Sequence, residues 1–183
     1  MSEGTHHTKI TAKEGFYVGT KDSKVQIAGA DGALLQKGAE VISSSTVLFT
    51  ENGAGTYTGS VSLPAGSILI DIIIHAIAKW TAGTSAIMKV GDVADDDGYF
   101  TGVNLKATDL LAGESINFSH AGGQSGADLD AASGAGAHVR RRQLATDRVI
   151  SGVVTSVGAG TAGRTLMTVM WLEPTASAAT KAT

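Results

Sequence analysis

The stretch SILIDIIIHAIAKW, residues 67–80, constrains the fold more than any other part of this chain. It concentrates isoleucine, yet contains Asp71, His75 and Lys79. A bilayer span needs about 20 apolar residues, and this run is shorter and charged. Taken with a period of two, Ile68, Ile70, Ile72, Ile74, Ala76 and Ala78 fall on one side and are wholly apolar. Leu69, Asp71, Ile73, His75, Ile77 and Lys79 fall on the other, where greasy and polar side chains alternate. A helical wheel would spread the isoleucines all round and bury Asp71 with no evident partner. Isoleucine also favours strands, because β-branching restricts χ1. The expectation is a long strand, bent or bulged near Asp71, with one face on a core. Two readings of its other face stay open. It packs against another subunit, or a loop of the same chain covers it.

The rest of the chain follows the same period. TYTGSVSL alternates Tyr57, Gly59, Val61 and Leu63 against Thr58, Ser60 and Ser62. RTLMTVMWLE alternates Leu166, Thr168, Met170 and Leu172 against Thr165, Met167, Val169 and Trp171. STVLFT, SAIMKVG, SINF and RVISGVVTSV read as further strands, and LKATDLLAGE as a short helix. TAGT after Trp80 predicts a hairpin loop, and the last two long strands predict a final hairpin. About eight strands with Gly-rich turns and little helix predict an all-β fold of antiparallel strands, a sandwich, a jelly roll or a barrel. Residues 1–45 differ. Their β-prone pieces, Phe16–Val18, Lys24–Ile27 and Ala33–Gln36, are each too short to make a core, so this segment reads as an extended N-terminal arm. The expected division is an arm over 1–45, a sandwich over 46–174 and a disordered tail over 175–183.

Composition narrows the function. The chain has 183 residues, a net charge of −3 and 17% charged residues, too balanced for a protein whose main task is gripping nucleic acid. There is no cysteine, so no disulfide framework, thiolate chemistry or Cys-ligated zinc is available. The N-terminus is polar and has no apolar core, so no secretory signal is expected. Neither a membrane nor a nucleic acid is an expected partner.

Several motifs invite chemistry and then fail on context. GAGTAGRT, residues 158–165, contains G-x-G-x-x-G at Gly158, Gly160 and Gly163. A phosphate loop needs a helix after it, and the residues that follow alternate like a strand and meet Pro174. DVADDDGYF, residues 92–100, suggests a calcium loop. With Gly98 at the loop glycine, Val93 falls on the first ligand position and Asn104 where a bidentate Glu belongs. An acidic turn is the expectation, with a cation site on Asp95, Asp96 or Asp97 as the alternative. The five histidines, His6, His7, His75, His120 and His138, lack metal-site spacing. No G-x-S-x-G elbow is present. Arg140, Arg141 and Arg142 read as solvated charge or as partners for a neighbour's carboxylates. No catalytic residue, metal or cofactor is expected, and the chain is not expected to be an enzyme.

The segment GSILIDIIIHAIAKWTAGTSAIMKVGDVADDDGYF, with LAGESINF and the closing RTLMTVMWLEP, resembles a recurrent element of tailed-bacteriophage structural proteins. FYVGTKDSKVQIAGADGALLQKG resembles the anchoring segment of phage capsid decoration, or cement, proteins. The resemblance implies a jelly-roll-like sandwich, often a homotrimer. It would sit on the outer capsid surface of a virion, bound to the major capsid protein and bridging neighbouring capsomers. The interface residues expected on this reading are Phe16, Tyr17, Val18, Leu34 and Leu35 in the arm and Ile73, His75 and Ile77 on the long strand. The alternative is a receptor-binding or fibre-head module that recognises a host-surface glycan.

Overall fold

A computed structural model gives the architecture. It describes residues 42–106, 109–130 and 143–173, with the backbone of short strands at 16–20, 23–27, 34–37 and 138–139. The chain divides into two compact units, Met1–Val41 with Thr175–Thr183, and Ile42–Pro174. In the first, β1 (Phe16–Thr20), β2 (Ser23–Ile27) and β3 (Leu34–Lys37) form an antiparallel sheet in the order β1-β2-β3. The side chains of this unit, including Phe16, Tyr17, Val18, Leu34 and Leu35, lie outside the described residues, as do the tail and Arg140–Arg142.

The second unit is built from eight principal strands: β4 (Ile42–Thr50), β5 (Gly55–Leu63), β6 (Ile68–Ala78), β7 (Ser85–Gly91), β8 (Phe100–Asn104), β9 (Ser115–Ile116), β12 (Arg148–Val157) and β13 (Arg164–Leu172). Between β9 and β12 lies a two-residue ladder of β10 (Leu129–Asp130) and β11 (His138–Val139). The principal strands pair from the outside inwards. β4 pairs with β13, β5 with β12, β6 with β9 and β7 with β8, all antiparallel. This nesting yields two four-stranded sheets, β4-β13-β6-β9 and β5-β12-β7-β8. It is the strand order of a jelly roll, an all-β sandwich as the alternation predicts. Among the described residues no helix is long and apolar enough to cross a membrane.

Alternation decides what enters the core. Val61 and Leu63 from β5, Ile150 and Val154 from β12, Met88 and Val90 from β7 and Met167, Val169 and Trp171 from β13 meet between the sheets. Each large apolar side chain contributes about 1.5–3 kcal/mol on burial. β6 departs from strict parity. Ile72, Ile74 and Ala76 point inwards as expected, but Leu69 is buried in place of Ile68 and Ile70, and Ile68 is 42% exposed. The register skips Ile70 between Met170↔Asp71 and Trp171↔Leu69, which is a β-bulge. The bulge explains Asp71. Its Oδ1 accepts the Ile72 and Phe118 backbone N–H groups (2.9 and 3.0 Å), and its Oδ2 accepts from Asn117 Nδ2 (3.1 Å). Asn117 in turn caps the short 3-10 turn Phe118–His120.

Two local expectations are corrected. The loops after β6 and after β12 are not hairpins, because β6 and β7, like β12 and β13, belong to opposite sheets. A Gly-rich turn between alternating strands reads the same whether the chain returns in one sheet or arches to the other. The described part of LKATDLLAGE forms turns. Asp109 accepts the Asn104 N–H, Asn104 accepts the Lys106 N–H, and Glu114 accepts the Leu111 N–H. Such side-chain bonds compete with a helix for the same backbone donors.

The arches at one end of the roll are tied by a single carboxylate. Glu51, 2% exposed, follows β4. Its Oε2 accepts from the Thr81 N–H and hydroxyl (both 2.9 Å) and from the Ala162 and Gly163 N–H groups (3.1 and 2.9 Å). Burial alone would push this carboxyl up. The backbone bonds from Thr81 and Gly163, with the Thr81 hydroxyl and the Ala82 backbone, outweigh it and hold it below 4.5. Beside it, buried Trp80 donates from Nε1 to Thr165 Oγ1 (2.9 Å) and meets Tyr57 edge to face at 5.3 Å. The Trp80 ring leaves no room for a Cβ at Gly163, and Glu51 leaves none at Gly160.

A folded-state pKa below the unfolded value gives stabilisation that is complete above that unfolded value and lost as the pH falls through the folded one. Glu51→Gln is therefore expected to cost about 2–3 kcal/mol in urea unfolding at neutral pH, and less at a pH well below 4.5, where the carboxyl becomes protonated in the folded chain too. An equal cost at both values would show that the charge is not what holds the arches.

Candidate assembly surface

The motifs that invite chemistry have structural occupants. In the loop 158–163 two backbone N–H groups do face an anion, but it is the chain's own Glu51. The strand β13 follows where a nucleotide loop needs a helix. The acidic loop folds on itself. Asp92 and Gly98 donate their N–H groups to Asp95 O, Asp92 Oδ1 accepts from Ala94 N–H, and Val93 stands fully exposed at the tip. Carboxylate oxygens of Asp95, Asp96 and Asp97 lie within 4.8 Å of one another, and Lys89 faces two of them, 3.3 Å from Asp97 and 3.9 Å from Asp96. The hydrogen bond to Asp97, then the charges of Asp97 and Asp96, raise the Lys89 pKa. The lysine thus supplies the positive charge that the cluster attracts. His75 Nδ1 lies 2.8 Å from Ser115 Oγ, and among the described residues no carboxylate bonds either atom.

The outer faces of the two sheets differ in chemistry. On β4-β13-β6 the cross-strand rows facing outwards are Ile42–Leu172–Ile68, Ser44–Met170–Asp71, Thr46–Thr168–Ile73 and Leu48–Leu166–His75. Ile42 is 61% exposed and Leu48 46%, while Leu166, Met170, Leu172 and Ile73 are half-buried. Asp71 is engaged with Asn117 and Phe118, and the central threonines share a 2.9 Å hydrogen bond. Beyond these rows Arg164 marks the rim. Between residues 42 and 70 Glu51 is the sole charged residue, and it is buried.

The opposite sheet presents hydroxyls. Its rows are Ser60–Ser151–Gly91, Thr58–Val153–Lys89 and Thr56–Thr155–Ile87, with exposed Val149 and Val157 near the ends of β12. Water satisfies a hydroxyl face without penalty. It gains by leaving an apolar one, about 25 cal/mol for each Å², so a large apolar patch marks a contact surface.

Three of the expected interface residues belong to this geometry. Ile73 and His75 lie on the apolar face, and Ile77, 40% exposed, sits at the second β6 irregularity, skipped between Ala76 and Ala78. Sequence reasoning missed Leu48, Leu166, Met170 and Leu172. Their shared parity with Ile73 across three strands was the available signal, and it needed the register to become visible.

No protein-family model and no curated protein matches the chain. Among solved structures it is similar to a chain in the acidic stable capsid structure of Helicobacter pylori bacteriophage KHP30, at 16% identity over 74% of this chain and 93% of that one, with a TM-score of 0.49. It is similar to chains in the cyanophage Pam1 capsid asymmetric unit (TM-score 0.45) and the capsid of Ralstonia phage GP4 (TM-score 0.42). Each of these is also 16% identical, over 74% of this chain and 86% of that one. At this identity and score the likeness assigns the chain to no family.

Adjacent residues of β4 separate the two faces. Leu48→Ser is expected to change the unfolding free energy by less than about 0.5 kcal/mol, whereas buried Phe49→Ala costs about 3–5 kcal/mol. Comparable losses at both positions would mean that the chain itself covers Leu48.

Proposed function

We propose that the chain is a structural protein of a phage virion. It binds the outer surface of the capsid as a homotrimer and stabilises the shell by bridging neighbouring capsomers. The observation that carries this reading is the outer face of β4-β13-β6, where Ile42, Leu48, Ile68, Ile73, Leu166, Met170 and Leu172 gather and the one carboxylate, Asp71, is tied to Asn117 and Phe118, opposed by a sheet richer in hydroxyls. The sequence resemblance to decoration proteins supplies the context. The reading assigns no catalytic residue and no cofactor. The protein acts by burying surface.

The arithmetic decides how such a protein holds on. A nine-residue strand is about 30 Å long and three strands span about 14 Å, so the face offers about 400 Å². A standard interface takes about 800 Å² from each partner. At about 25 cal/mol per Å² of apolar area the face contributes less than about 10 kcal/mol, because Ser44, Thr46, Thr168, Asp71 and His75 share it, which is no more than the 4–15 kcal/mol that association itself costs. One such contact is weak, and many on one shell are strong, because each bound copy raises the effective concentration of the next contact. In this reading the apolar face meets a neighbouring copy, and the segment before Ile42 supplies the contact with the major capsid protein.

Two outcomes test the division. Removing residues 1–41, just before β4, is expected to leave a folded body that no longer co-sediments with capsids. Full binding by the truncated chain would remove the anchoring role. The double change Ile73→Lys and Ile77→Lys is expected to reduce the mass in light scattering while the monomer stays folded. An unchanged mass would remove the face from the copy-to-copy contact.

A further inference from the structure

We propose that the outer edge of β4 is a self-pairing edge. The β4 strand of one copy adds antiparallel to β4 of a second copy across a two-fold axis, joining two four-stranded sheets into one of eight. β4 pairs with β13 alone among the described residues, over an unbroken register from Thr50↔Arg164 to Ile42↔Leu172. Among the described residues nothing pairs its other side, where alternate residues present their backbone donors and acceptors. Sheets ordinarily protect such an edge with lysine, proline, a bulge or a covering loop, and ISSSTVLFT has no charge, proline or glycine.

The remaining edges differ. β6 carries two irregularities and is flanked by β9, and its Ala76 exchanges backbone bonds with Gly113 and Glu114. β8 is bridged by Ser125 next to the Gly126–Tyr99 bond. β5 is open and uncharged, but Gly55 and Gly59 interrupt it.

The β4 sequence also selects the register. A two-fold axis perpendicular to the sheet keeps outer faces together, so residues of like parity must oppose. Centred on Ser45, the pairing sets Ile42 of each copy against Leu48 of the other and Ser44 against Thr46. The two most exposed apolar side chains of the strand then cover one another, and the apolar faces of the two copies become continuous. Edge pairing alone buries less than the roughly 800 Å² per partner of a standard interface, so this contact is weak between free copies and is populated where copies are concentrated. A two-fold contact cannot close among the three copies of one trimer. On the proposed reading, on which this clause rests, it joins copies of adjacent trimers.

The chain has no cysteine, so one introduced thiol reports cleanly. Ser45→Cys in the full-length chain would place two sulfur-bearing residues directly opposite each other, with Cα atoms about 4.5–5.5 Å apart, within disulfide reach. Oxidation of the concentrated protein without capsids is expected to give at least about ten times more disulfide-linked dimer than Thr155→Cys, also an exposed position but on the central strand β12. Adding Ser44→Lys to Ser45→Cys should suppress the cross-link by placing a charge on the edge. A Ser45→Cys yield no higher than that of Thr155→Cys, or one indifferent to Ser44→Lys, would overturn the self-pairing edge. Loss of capsid binding with the cross-link intact would instead count against the proposed function.

Discussion

Apart from the β7–β8 pair, the sandwich depends on strands that neighbour one another in sequence lying in opposite sheets. Nested pairing forces the chain to arch between layers at β4–β5, β6–β7 and β12–β13, and these arches meet at one end. An arch leaves backbone N–H groups without ladder partners. Glu51, in the first of these arches, answers for the other two at once, with a charged acceptor in a nearly dry site where each bond is stronger than a neutral one in water. Trp80 and Thr165 complete the same end with a buried hydrogen bond. Of the loop glycines that look like a phosphate cradle, Gly160 and Gly163 are there because Glu51 and Trp80 occupy the space, and Gly158 because its φ is +90° and the Gly83 backbone passes close by.

That rigid frame gives the outer surfaces their character. Once the register fixes β13 between β4 and β6, the parity of each strand is no longer free. Placing Met167 and Val169 inside puts Leu166, Met170 and Leu172 outside, beside Ile42, Leu48, Ile68 and Ile73. The apolar face is therefore a property of three strands in register. On the opposite sheet the same constraint aligns Thr56, Thr58 and Ser60 with Ser151 and Thr155. One frame thus carries a face rich in hydroxyls and a face richer in apolar side chains.

The fold class was legible because alternation is local. Tyr57–Leu63 and Arg164–Leu172 announce their strands without help, and the isoleucine run shows both the strand and the disturbance at Asp71. The inward parity before Asp71 was not legible, because the bulge that moves Leu69 inside is fixed by the partner strand and by the grip of Asp71 on Asn117 and Phe118. The role of Glu51 was hidden for a similar reason, since its partners lie 30 and 112 positions away. Hairpin and arch share one sequence signature, so the layering had to come from pairing. On the apolar face, the shared parity of Ile73 and His75 was visible in the sequence, the second irregularity that takes Ile77 out of that row was not, and Leu48 and Leu166 became visible only through register.

The central claim is that the protein works through contact area on one face of the roll. The most direct measurement is electron microscopy of decorated capsids at side-chain resolution. The account predicts density outside the shell in which Ile42, Leu48, Ile73 and Leu166 are buried against a neighbouring chain and Thr58 and Ser60 face solvent. Particles in which those four side chains point into solvent, or in which no copy binds, would contradict it.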